Sequence, residues 1–152
     1  MSSDSLARPA EVFLSHSGKD QEIASRLVKV LRGHGVPVFF SPHNILGAAQ
    51  WHDEIGKALL RCDWFIVLLS PEAVASTWVK HEVVFAISDR RFLGRVIPLL
   101  HRECDQAALS WTLPQLQRVD FSDDFSRGCR ELLRIWGIGL RDELLGQSGE
   151  TR

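Results

Sequence analysis

The chain predicts a three-layer α/β sandwich, a five-stranded parallel sheet with helices on both faces. Three observations lead there. Short, wholly apolar runs alternate along the chain with segments whose apolar residues recur at helical spacing. A strand gains a parallel neighbour only through a crossover connection, usually a helix. Finally, 152 residues with 45% hydrophobic and 24% charged content suit one domain with a full core and leave little room for a second.

Residues 1–10 are small and polar, end in Arg8-Pro9-Ala10, and read as a flexible N-terminus. The domain is expected over residues 11–137. It opens with EVFLSH, whose consecutive Val12, Phe13 and Leu14 fit a strand buried on both faces. Ser17 or Asp20 can then cap a helix that carries Ile23, Leu27, Val30 and Leu31 on one side, and Gly33 and Gly35 stop it. Val36 to Phe40 (VPVFF) forms the second strand. A loop follows, marked by Pro42, Asn44 and Gly47, and then a short helix, WHDEIGKALLRC, that buries Ile55 and Leu59. Trp64 to Ser70 is a third, entirely apolar strand. Pro71 suits the first turn of the next helix, expected to run without interruption to about Asp89. Arg95 to Leu100 supplies a fourth strand in which Pro98 argues for an end or an edge. LQRVDF offers a short fifth. The last helix, from about Asp123 to Trp136, presents Phe125, Cys129, Leu132, Leu133 and Trp136 and ends at Gly137. Residues 138–152 turn polar and read as a C-terminal tail or the start of a linker.

Charge and cysteine usage exclude several classes. A formal net charge of −1 provides no global field for nucleic acid or an anionic membrane, so a partner must be chosen by a local site. Three widely spaced cysteines, Cys62, Cys104 and Cys129, suggest neither a disulfide framework nor a zinc ribbon and fit reduced thiols in a cytoplasm. Neither a signal peptide nor an apolar stretch of bilayer length stands out. SHSGKD sits between strand and helix like a phosphate loop but has Phe13 where that motif needs glycine and Asp20 where it needs Ser or Thr. Ser17 there is equally well explained as an ordinary cap, although the helix N-terminus still offers N–H groups to an anion. HEVVF lacks the second histidine of a zinc protease helix, the remaining histidines are scattered, and no metal is expected. There is no GxSxG elbow. A receiver domain would need an aspartate at the end of the third strand, which here ends Leu68-Leu69-Ser70.

In open parallel sheets ligands bind outside the carboxyl ends of the strands, where strand order reverses. The loops after EVFLSH, VPVFF and WFIVLLS are therefore the expected site. STWVKHE (Ser76 to Glu82) lies on the helix that leaves the third of these strands. At about 100° per residue, Val79, Val83, Ala86 and Ile87 form one buried stripe and Trp78, Glu82 and Phe85 an adjoining one. Glu82 thus stands at the border of the core. On an arbitrary helix it would be a partly solvated flank residue, paired with Lys80 or an arginine, with Trp78 as packing. Beside a cleft, an acid next to an aromatic can act on a ligand.

These segments together resemble the Toll/interleukin-1 receptor (TIR) domain family, and more closely its bacterial NAD+-consuming members. EVFLSHSGKD is similar to the family's first-strand box, FFSPHNILGAAQWHDEI to the loop after strand two with its helix, FIVLLSPEAVAS to strand three, and STWVKHE to the tryptophan-to-glutamate motif. They occur in the family's order over about residues 10 to 137. SPHN stands where many relatives have an aspartate or arginine before the loop glycine.

The resemblance implies a flavodoxin-like fold and an NAD+ glycohydrolase that releases nicotinamide and either ADP-ribose or a cyclic isomer. NAD+ is its substrate, no further cofactor is needed, and Glu82 is catalytic. The nicotinamide is a cationic pyridinium that departs as a neutral molecule, so no general acid is required, and an ionised Glu82 can stabilise the oxocarbenium-like ribose. By the same resemblance Phe13, Ser15 and His16 line the nicotinamide side and Ser17 and Lys19 meet the pyrophosphate. The loop with Asn44, Leu46 and Gly47 covers the cleft, Trp78 walls the ribose pocket, and Trp51 touches ligand or seals the core. It further implies homotypic TIR–TIR assembly that completes the site, a fused sensor domain beyond the C-terminus, and a role in antiphage defence. The alternative is a non-catalytic TIR scaffold that self-associates for signalling.

Overall fold

The strands are β1 (Val12–Ser15), β2 (Val38–Phe40), β3 (Trp64–Leu69), β4 (Val96–Leu100) and β5 (Val119–Asp120), in a computed structural model that describes residues 8–40 and 48–149. Their order across the sheet is β2-β1-β3-β4-β5, and every pair is parallel. Strand order therefore reverses between β1 and β3. The crossovers are α1 (Gln21–Gly33), α2 (Ala48–Arg61), the pair α3 (Pro71–Val74) and α4 (Thr77–Ser88), and an irregular passage before β5; α5 (Phe125–Ile135) follows. This is the flavodoxin-like sandwich expected from the alternating pattern.

All six residues of β3 and all four of β1 are buried, because each strand faces helices on both sides. Alternate side chains feed two separate cores. Val12, Leu14, Trp64, Ile66 and Leu68 pack with α1 and α5. Phe13, Phe65, Val67 and Leu69 pack with α2, α3 and α4. Each large apolar side chain so enclosed contributes about 1.5–3 kcal/mol of transfer free energy before the opposing chain entropy is counted.

Three expectations are corrected. The single helix from Pro71 to Asp89 is broken at Ala75-Ser76: Ser76 is extended (φ −88°, ψ 122°) and its side chain accepts from Val79 N–H, starting α4 afresh. Pro98 lies inside the sheet, in register with Val67. Phe65 N–H donates to Arg95 O on one side of β4, and Phe121 N–H donates to Leu100 O on the other. By that alternation the Pro98 nitrogen faces β5, whose pairing with β4 begins only at Leu99. Its missing N–H thus falls where there is no ladder to join, an edge within an interior strand. The segment read as a polar tail also returns to the domain. Ile138 is buried, Leu140 and Leu145 pack on the α1 and α5 core, and α6 (Asp142–Gly149) lies against α1. His34 fastens it, with Nδ1–H donating to Val30 O (2.8 Å) and Nε2 accepting from Arg141 N–H (2.9 Å). Among the described residues no helix is long and apolar enough to cross a membrane.

Candidate functional site

Glu82 is the acid that the sequence placed at the border of the core, and the fold takes it further in. It is 2% exposed, so it is no solvated flank residue, and among the described residues its hydrogen-bond partner is Ser15 rather than Lys80 or an arginine. Val79 and Val83 hold its helix turn into the α4 face of the sheet. Ser15, the last residue of β1, donates its hydroxyl to Glu82 Oε1 at 2.6 Å. That bond spans 67 residues of chain and joins the strand beside the order reversal to the helix after β3. The second oxygen, Oε2, is buried and has no hydrogen-bond partner among the described residues.

Beside it runs a groove of about 330 Å³ between α2 and α4. Ile55, Gly56, Leu59 and Leu60 form the α2 wall; Trp78, His81, Glu82 and Phe85 form the α4 wall. The stripe of Trp78, Glu82 and Phe85 predicted from helical spacing is thus the lining of a hollow. Among the described residues no lysine or arginine lines it, and His81 is the other titratable group there. Burial therefore dominates the charge state of Glu82 and pushes its carboxyl up to about 7, against the opposing pull of the Ser15 hydroxyl. Burial thus works against the ionised form that the sequence led us to expect. Such a group can accept a proton, or it can meet a cation with a charge that little else in the groove offsets.

The other residues singled out from sequence are distributed as follows. Phe13 is wholly enclosed, its ring stacked at 5.3 Å on Phe39 and 5.4 Å on Phe65. His16 is also fully buried, stacked on Phe40 at 5.1 Å, with Nε2 3.3 Å from Gln21 Oε1. Ser17 caps the short turn Gly18–Asp20 by accepting from Lys19 N–H. Lys19 lines a different hollow, with Asp20, Arg26 and His101. Asn44, Leu46 and Gly47 lie outside the described residues, as does the side chain of Trp51. So Glu82, Ser15 and Trp78 come together, while Ser17 and Lys19 face elsewhere.

Sequence reasoning missed a second buried pairing at the carboxyl edge of the sheet. Ser70 donates to Asp20 Oδ2 at 2.5 Å while accepting from Ala73 N–H, and His101 Nε2 stands 4.0 Å from the other Asp20 oxygen. Asp20 had suggested only a helix cap, and nothing local in SHSGKD reveals that it reaches the end of β3. Among the described residues no cluster of His, Cys, Asp or Glu could hold a metal ion.

A domain-family model described as the TIR domain matches residues 12–133. The chain belongs to the TIR domain family. Among solved structures, it is similar to the TIR domain of the Toll-related receptor TRR-2 from Hydra magnipapillata. That likeness has a TM-score of 0.67 and 21% identity and covers 83% of this chain and 97% of that one. It is also similar to the TIR domains of the activated Roq1 resistosome that directly recognises the pathogen effector XopQ, with a TM-score of 0.53, 18% identity, and coverage of 93% and 84%. At these identities the likeness speaks for the TIR fold. No curated protein matches.

Proposed function

We propose that this TIR domain is an NAD+ glycohydrolase in which Glu82 acts on the ribose, in the manner of the family's NAD+-consuming members. The observation that carries the reading is a buried carboxylate with one oxygen held by Ser15 and the other unpartnered among the described residues, beside a largely apolar groove walled by Trp78. A scaffold has no use for such a group, since burying an acid without an ionic partner costs stability.

The chemistry suits one carboxylate. The bond between the nicotinamide nitrogen and ribose C1′ breaks with its electron pair going to the nitrogen, so the cationic pyridinium leaves as neutral nicotinamide. Positive charge develops on the ribose, and ionised Glu82 stabilises it in a site where water does not screen the interaction. Water then attacks C1′ and gives up a proton, for which Glu82 is a suitable acceptor. If an adenine nitrogen attacks instead, the product is a cyclic ADP-ribose isomer. The Trp78 indole supplies a flat face for a ring or the ribose. Homotypic TIR–TIR assembly completes the groove and activates the enzyme, in keeping with antiphage defence under the control of a sensor.

The second reading, a signalling scaffold, draws on Leu60, Val84 and Phe85, which are 69%, 45% and 38% exposed on the two helices that form the groove. A self-associating module would present such a lip. Incubating concentrated protein with NAD+ under crowding and following nicotinamide by chromatography separates the two. Nicotinamide release supports the enzyme; intact NAD+ across assembly conditions, with association demonstrated by light scattering, supports the scaffold.

A further inference from the structure

Ser15 was expected to touch the ligand, yet its hydroxyl is committed to Glu82. We propose that Ser15 is a positioning residue: it ties down Oε1, leaves Oε2 as the oxygen presented to a ligand in the groove, and holds the carboxylate in its ionised form. The proposal rests on the reading of Glu82 as the ligand-facing acid.

Among the described residues the elements around Glu82 offer no substitute for this hydroxyl. On α2 the groove wall is Ile55, Gly56, Leu59 and Leu60. From β3, Phe65, Val67 and Leu69 face the same core. Of the charged groups on neighbouring elements, Arg91 donates to Leu59 O, Leu60 O and Asp89, Glu72 is paired with Arg102, and Glu54, Lys57 and Lys80 are exposed. Asp89 is held below the usual carboxylate range by Arg91. His81 on α4 is exposed. Ser15 is therefore the one donor to the carboxylate among the described residues, and its strand is pinned by parallel neighbours on both sides. The hydroxyl stands 2.6 Å from Oε1, a close hydrogen bond.

A donor of this kind favours the charged form, while burial favours the neutral one. Removing it leaves burial unopposed. A cationic ligand arriving at Oε2 adds a second influence in the same direction as Ser15, so its binding near neutral pH expels a proton. The hydroxyl thus decides how much of the groove's charge exists before the ligand arrives.

The experiment is a carboxyl-carbon NMR titration of Glu82 in the whole chain labelled with 13C-glutamate, with assignment by its loss in Glu82→Gln. It requires no turnover. Ser15→Ala is expected to raise the Glu82 midpoint by about one pH unit or more, since a hydrogen bond to a charged group contributes that much. Ser15→Thr, which restores a hydroxyl, should return it toward the wild-type value. If Ser15→Ala fails to fold, Ser15→Cys carries a weaker donor and gives the same upward movement, smaller in size. An unchanged midpoint in the folded variants overturns the proposal. Where NAD+ is turned over, the acid limb of the pH–rate profile should move with the NMR midpoint, and a limb that stays in place counts against Ser15. If NAD+ is never cleaved but the midpoint moves, the positioning role stands and only the enzymatic reading fails.

Discussion

Replacing Glu82 by glutamine should change how stability depends on pH, by an amount that follows from its burial. A carboxyl of ordinary value 4.5 held at about 7 in the folded chain binds more protons folded than unfolded between those values. Its favourable contribution is therefore complete below pH 4.5 and is lost as pH rises through 7. The full difference corresponds to roughly 3 kcal/mol, most of which falls between pH 5 and pH 8. Glu82→Gln keeps the shape and an acceptor for Ser15 but cannot titrate. Other ionisable groups cancel when wild type and variant are compared at each pH. Urea unfolding at both pH values should show the variant gaining roughly 2–3 kcal/mol on the wild type from pH 5 to pH 8. In melting temperature this is on the order of 5–10 °C for a domain of this size. A constant difference between the two proteins at both pH values would mean that Glu82 titrates as a solvated acid, and the burial argument would be wrong.

Gly128 faces Phe121 so closely that an added Cβ would sit 2.5 Å from the ring, so Gly128→Ala should destabilise by about 1–3 kcal/mol in urea titrations. Ser76→Ala removes the cap that restarts the helix at Thr77, with an expected loss of about 1 kcal/mol and faster amide exchange at Val79. Burial pushes the Cys62 and Cys129 thiols up to about 12, whereas Cys104 is half-buried; a thiol reagent at pH 8 should label Cys104 first and the other two only on unfolding.

Much of the sandwich was legible because its strands are wholly apolar runs and its helices carry regular stripes, both local signals. Leu27 and Leu31, or Leu132 and Leu133, announce a buried face through their neighbours alone. The stripe of Trp78, Glu82 and Phe85 was equally readable, since a helix turn fixes which residues share a side. What periodicity cannot supply is the other half of each contact. Ser15 lies 67 residues from Glu82 and Asp20 lies 50 from Ser70, and those pairings exist only once β1 and β3 stand side by side. The same limit hid the depth of Glu82, which took the sheet on one side and α2 on the other to enclose it. Pro98 was read as an edge because the rule for central strands assumes a neighbour along the whole length, and β5 is only two residues long. Residues 138–152 look polar on average. Ile138, Leu140 and Leu145 are spaced too unevenly to announce a face, yet each finds the existing core.

The central claim is that the charge buried beside the groove does chemistry on NAD+. Nicotinamide release by assembled wild-type protein and by Glu82→Gln, both shown to be folded, measures it most directly at pH 8, where Glu82 is mostly ionised. The expected result is steady release by the wild type and a loss on the order of 10²-fold or more in the variant. Equal release by the two proteins would contradict the role given to Glu82.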